Sequence, residues 1–124
     1  MDVIKAVVNF KDARGEIVDL IEGKNINAVT RITFTKGSVR GNHYHKETTQ
    51  WNYLIKGKVK LVVQVGDGAI DEITLEPGDL ASTAPMEKHA IVGIEDSDLL
   101  VFTEGPRGGK EYESDTFRLD NPIA

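Results

Sequence analysis

Apolar and polar positions alternate along most of the chain in short runs, and each run stops at a turn-forming cluster. Val3 to Phe10 is rich in β-branched residues and ends at Lys11-Asp-Ala-Arg-Gly15, which predicts a strand followed by a turn. Glu16 to Glu22 repeats the pattern and ends at Gly23. Asn27 to Thr35 alternates around Ile32 and Phe34, as a half-buried strand does. Lys58 to Val65 runs into Gly66-Asp-Gly68, a hairpin signal, and Ala69 to Leu75 answers as the return strand. Pro77-Gly78-Asp79 is a turn for local reasons, because proline presets one corner and glycine accepts the positive φ of the next. Leu80 to Ala84, His89 to Glu95 and Leu99 to Thr103 are further short strands. No segment sustains a helical period. Strands bounded by frequent turns predict an antiparallel sandwich or barrel.

The last stretch differs. Gly105 to Leu119 begins with glycine and charge, which predicts a loop that returns to pack Tyr112 and Phe117 on the barrel.

At 124 residues the chain has room for one domain, 1–124, able to remove roughly two-thirds of its unfolded surface from water. With 40% hydrophobic and 28% charged residues it is neither a disordered chain nor a membrane span. The start, Met1-Asp-Val-Ile-Lys, lacks the basic and long apolar stretches of a signal peptide, so the expected location is cytoplasmic. Cysteine is absent, which excludes thiolate metal sites and cysteine nucleophiles and leaves only nitrogen and oxygen ligands. A net charge of −5 with scattered basic residues argues against a nucleic-acid partner. No membrane partner is expected either.

Chemistry concentrates in Gly37 to Gly57, where His43 and His45 are two residues apart and Gln50 follows. On an extended strand such a pair points to the same face and brings two imidazoles to one place. The third histidine, His89, follows the second turn-rich segment, Glu76 to Lys88.

This spacing resembles the two-motif signature of the cupin superfamily. Gly37, His43, His45 and Gly57 match the first motif, about 37–57, with Gln50 where the family usually carries glutamate. In the second, about 78–93, Gly78 and His89 keep the expected separation. Pro85 is displaced by one, Met86 stands at the glycine position and Gly93 at the asparagine position. The resemblance implies an all-β cupin double-stranded β-helix, the RmlC-like jelly-roll barrel, in a small single-domain protein that pairs as a homodimer.

It also implies a divalent transition metal (Zn, Mn, Fe, Ni, Co or Cu) on His43, His45 and His89, with Gln50 a weak fourth ligand or an orienter. Such donors suit first-row metals and suit Ca or Mg poorly. The leading expectation is therefore a metal-binding cupin that acts on or binds a small polar metabolite, as an oxygenase or an isomerase. A narrower resemblance points elsewhere. Arg40-Gly-Asn-His43-Tyr-His45-Lys46 with Gln50 is similar to the cupin nucleotide-sugar 3,4-ketoisomerases, in which the histidines, here His43 and His45, work as catalytic acid and base without a metal. A non-catalytic sugar-binding module is the third reading.

Alternation along Gln50 to Ile55 sends Asn52 and Leu54 inward with Gln50, and Trp51, Tyr53 and Ile55 to the other face. That outward aromatic face, with the N-terminal strands, is the expected dimer contact.

Overall fold

The computed structural model describes residues 1–4, 8–106 and 113–124. Its strands are β1 (Asp2–Ile4), β2 (Val8–Asp12), β3 (Gly15–Val18), β4 (Ala28–Phe34), β5 (Val39–Tyr44) and β6 (Thr49–Lys56). They continue with β7 (Val59–Val65), β8 (Ile70–Leu75), β9 (Leu80–Thr83), β10 (Glu87–Gly93), β11 (Ser97–Glu104) and β12 (Phe117–Arg118). Among the described residues there is no helix long and apolar enough to cross a membrane.

Two five-stranded antiparallel sheets face each other. One has the order β1-β9-β6-β11-β4 and the other β12-β5-β10-β7-β8, while β2 and β3 form a separate hairpin. Consecutive strands mostly lie in opposite sheets, which is how a jelly roll winds. The hairpin predicted at Gly66-Asp-Gly68 joins β7 to β8, with Gln64 opposite Ile70. The N-terminal expectation is corrected in one respect. Among the described residues, Val3 and Ile4 belong to β1, which pairs with β9, whereas Val8 to Phe10 belong to β2, which pairs with β3, so the stretch serves two sheets.

Period-two alternation builds the core between the sheets. Leu99 and Val101 of β11 face inward with Leu54 of β6 and Phe34 of β4, and meet Leu61, Val63, Leu75 and Ile91 of the second sheet. Leu54, Leu61, Leu75, Leu80 and Leu99 are all at most 1% exposed. At roughly 1.5–3 kcal/mol per buried aliphatic side chain, this apolar end stabilises a barrel whose other end is polar.

The polar end follows from register. Gln50 of β6 lies between Thr83 of β9 and Thr103 of β11 in one cross-strand row, and Asn52 lies between Ala81 and Val101 in the next. Residues directly opposite on antiparallel strands share a face. One wall thus carries neutral hydroxyl and amide groups, and the facing wall, β5 and β10, carries histidines.

Trp51 does point away from the cavity, but it is 6% exposed and so is covered within the chain itself. The outward face of β6 is therefore not the open aromatic patch expected; only Ile55, at 45%, is well exposed there. The tail expectation holds for Phe117, which stacks on Tyr44 at 5.3 Å between ring centroids. Tyr112 lies outside the described residues.

Candidate functional site

His43 faces the barrel because of an irregularity in β5. His43 pairs with His89 and Gly41 with Ala90, so Asn42 is an extra residue, a bulge that re-aims the side chains around it. Both bulge residues take positive φ, 94° at Gly41 and 56° at Asn42. A side chain at Gly41 would have its Cβ 2.9 Å from the backbone oxygen of His89, so only glycine lets β5 approach β10 here. Asn42 tolerates the left-handed conformation, and its side chain is used. Its Oδ1 accepts from the Ile123 N–H at 2.8 Å, and its backbone oxygen accepts from the Leu119 N–H at 2.9 Å. The bulge that aims His43 is also where the C-terminal segment is pinned.

His45 lies just beyond the end of β5 and is held from two sides. Its ring Nδ1 is 2.7 Å from the backbone oxygen of Asp115, and its own backbone oxygen accepts from the Met86 N–H at 2.6 Å. Met86, at the position where the resemblance expects glycine, adopts φ 69°. That conformation costs a non-glycine residue about 1–2 kcal/mol, and the contact to His45 is what it secures. Asp115 also anchors the loop after the histidines. Its carboxylate accepts from the N–H groups of Lys46 (3.0 Å) and Glu47 (2.8 Å) and from the Thr48 hydroxyl (2.8 Å). Burial alone raises its pKa, yet these donors prevail and hold it below the usual carboxylate range.

His89, on β10, is 4% exposed, and its ring Nδ1 is 3.1 Å from the backbone oxygen of Glu87. A carbonyl can only accept, so His45 and His89 each donate from Nδ1 and turn Nε2 away from that bond. The three rings converge, with centroids 4.7 Å apart for His43 and His89, 4.9 Å for His43 and His45, and 5.1 Å for His45 and His89. Burial, then the neighbouring imidazole of His45, pushes the His43 pKa down to about 4. Burial and the other two rings push His89 down to about 3. Both are neutral at physiological pH.

All three histidines and Gln50 thus line one cavity of about 160 Å³. Asn52, Arg40 and Gly41 line it too, and so do Glu113, Thr116 and Arg118 from the C-terminal segment. Arg118 pairs with Glu113 at 3.0 Å. Of the basic residues flanking the motif, Arg31 is engaged elsewhere, in a two-contact pair with Asp98 at 2.7 and 2.9 Å. The volume lies below the roughly 300–1,000 Å³ of sites that enclose a drug-sized ligand. One small polar unit fits, and any larger attached group lies outside the mouth.

The donor set fits a divalent first-row metal. One ring nitrogen of each histidine lies within 4.8 Å of the others, and two of the three rings have their second nitrogen fixed by a carbonyl, the usual support of a ligating imidazole. The buried Nε2 of His45 and Nδ1 of His43 have no hydrogen-bond partner among the described residues. Two ligands of one ion at about 2.1 Å each are at most about 4.2 Å apart. The three rings would hold such an ion only after moving closer together than they are here.

A family model described as the polysaccharide biosynthesis C-terminal domain matches residues 10–117. The chain belongs to that family. Members of the wider cupin fold resemble this polysaccharide biosynthesis C-terminal domain in sequence and in structure. A 73-residue stretch is 32% identical to oxalate decarboxylase OxdC of Bacillus subtilis, covering 59% of this chain and 19% of that protein. A longer match, 25% over 114 residues, is to the UDP-2-acetamido-2,6-beta-L-arabino-hexul-4-ose reductase of Pseudomonas aeruginosa, covering 90% of this chain and 28% of the reductase. The chain thus spans less than a third of either curated relative.

The sugar 3,4-ketoisomerase QdtA from Thermoanaerobacterium thermosaccharolyticum, solved with TDP, superposes with a TM-score of 0.77 at 26% identity, over 96% of this chain and 88% of that one. An asparagine-for-histidine variant of QdtA was solved with TDP-4-keto-6-deoxyglucose. The fold is the cupin jelly roll, and its solved neighbours at 26–28% identity are sugar 3,4-ketoisomerases, which support the ketoisomerase alternative better than the metal-dependent reading placed first from sequence.

Proposed function

We propose that this polysaccharide biosynthesis domain is a nucleotide-sugar ketoisomerase, which moves a carbonyl to the neighbouring carbon of a keto sugar. The observation that carries the reading is the convergence of three histidines, at least two of them neutral, on one wall of a cavity with room for one small polar unit. The keto sugar occupies the cavity with its carbonyl and adjacent C–H against the cluster, and the nucleotide lies across the mouth near Arg40 and Arg118.

His43 takes the proton from the carbon beside the carbonyl. The electron pair of that C–H bond becomes the enediol double bond, the former carbonyl oxygen gains a proton and the neighbouring hydroxyl loses one. His43 or His45 returns a proton to the former carbonyl carbon. Atoms and electrons balance without an oxidant. The facing wall supports isomerisation over epimerisation, because Gln50 and Asn52, which line the cavity there, cannot carry a proton at neutral pH. Proton carriers on one face return the proton to the side it left, whereas inversion needs a second carrier opposite.

A divalent ion on His43, His45, His89 and Gln50 would polarise the sugar carbonyl and acidify its neighbour. The test is a panel of TDP- and UDP-linked 4-keto sugars in deuterium oxide, with chelated protein and with added Zn²⁺ or Mn²⁺. Incorporation of one deuteron at the former carbonyl carbon after chelation is the expected result. Absence of exchange and of binding under every condition sinks the proposal.

Dimer formation is part of the same reading. The hairpin of β2 and β3 pairs with no other strand among the described residues and exposes Val8, Phe10 and Ile17 at 43, 51 and 60%. A lone two-stranded sheet is marginal in water, so a second copy is the expected cover. Sedimentation at micromolar concentration should give a dimer that Phe10→Ser with Ile17→Ser weakens; a monomeric wild type counts against it.

A further inference from the structure

The row Thr83, Gln50, Thr103 has a property that neither the histidines nor the fold requires. Thr83 is 1% and Thr103 0% exposed, and neither hydroxyl finds a hydrogen-bond partner among the described residues. A buried unpaired hydroxyl is destabilising, and valine would fill the same space without that cost. Both sites nevertheless carry threonine, on different strands and on opposite sides of Gln50. Side chains directly opposite in an antiparallel pair have Cβ atoms about 4.5–5.5 Å apart, so the glutamine carboxamide can reach either hydroxyl. Neither threonine lines the cavity, whereas Gln50 does. A ligand meets the glutamine, and the threonines flank it on the neighbouring strands without being bonded to its carboxamide in this structure.

We propose that Thr83 and Thr103 are positioning residues that clasp the Gln50 carboxamide and hold it in either of two orientations toward the histidine cluster. A hydroxyl both donates and accepts, so the pair serves either orientation. With the threonines accepting from Nε2, Oε1 is presented to the cavity as a neutral ligand or acceptor. With the threonines donating to Oε1, the NH₂ group faces the imidazole lone pairs. A glutamate in this row could offer only oxygens, so the two threonines give this glutamine a choice of polarity at constant backbone.

The metal arm of the test rests on the cluster's fit to a cation, and a second arm does not. Thr83→Val and Thr103→Val should leave the thermal midpoint of chelator-stripped protein unchanged or raised. Each should weaken Zn²⁺ binding, measured by competition with a chromophoric chelator, by about tenfold or more. Serine at either site should restore it, and in a Gln50→Leu background neither valine should weaken binding further. In the second arm, the Gln50 side-chain amide resonances of metal-free protein should shift and broaden in the valine variants and not in the serine ones. Wild type that binds no zinc removes the metal from the proposed function while the amide resonances still decide the clasp. Unmoved resonances overturn it, as does a loss of zinc affinity that persists undiminished without Gln50.

Discussion

Replacing His43 with asparagine should lower kcat on the nucleotide sugar by about two to four orders of magnitude, the usual contribution of a positioned general base. KM and the thermal midpoint should change little. Asparagine keeps much of the ring's shape but cannot accept a proton, and His43 is the least enclosed of the three histidines. The same substitution at His45 should cost a comparable factor, since His45 is fixed by Asp115 with Nε2 free toward the cluster. His89 separates the two ways the cluster can work. In metal-free isomerisation, His89→Gln mainly perturbs packing and leaves kcat within about tenfold of wild type after chelation. If a cation carries the chemistry, the variant loses one of at most four ligands, and metal content and turnover fall together. Turnover in His43→Asn within a factor of a few of wild type removes His43 from the reaction.

The elements that sequence alone located are those whose signal is a side chain at fixed spacing. His43 and His45 share a face by alternation, Gln50 follows on the next strand, and His89 appears opposite His43 through strand pairing. Alternation also placed Leu54 and Asn52 inward and Trp51 outward. What alternation could not show was that Trp51 is covered, because burial of an outward face depends on which distant segment crosses it. The largest omission was the C-terminal wall. Asp115 reaches His45 from 70 residues away, and it does so through a backbone carbonyl, which any residue type supplies. Its carboxylate caps the Lys46 to Thr48 loop, a role that leaves no spacing rule in the chain. Arg118 and Glu113 were visible only as a charged tail. Arg118 nevertheless lines the cavity. The bulge at Asn42 was equally hidden, since Gly41-Asn42 reads as turn chemistry and here bends a strand instead.

Gln50 links the two readings of the site. A carboxylate at that position would add a charge that holds a cation tightly and would put a proton carrier on the wall facing the histidines. The amide does neither, so it leaves any cation more weakly bound and leaves proton transfer to one face. Gln50→Glu therefore acts on both properties at once, and the threonine row around it sets how rigidly the amide is presented.

Acidification should unfold the metal-free protein well before carboxylate titration explains it. His43 and His89 have folded-state pKa values pushed down to about 4 and about 3, from an ordinary 6.5. Above pH 6.5 both are neutral in either state and stability does not depend on them. Between 6.5 and the folded values the unfolded chain binds protons that the native state refuses, so stability falls as pH falls. Each unit of difference is worth about 1.4 kcal/mol. Solvent screens the half-buried His43 more than the buried His89, so the two together put a few kcal/mol at stake, still a sizeable share of the roughly 5–15 kcal/mol that holds a domain folded. Asp115 acts in the same direction but lower, since its depressed pKa costs stability only as pH falls below the ordinary carboxylate value of 3.8. Urea denaturation of chelated protein at pH 7.5, 6.0, 5.0 and 4.5 should show the midpoint dropping steadily across that series, with a shallower slope in His89→Gln. A midpoint that holds constant down to pH 4.5 would mean that the imidazoles protonate in the folded barrel as readily as in the unfolded chain, and the depressed values assigned to His43 and His89 would then be wrong.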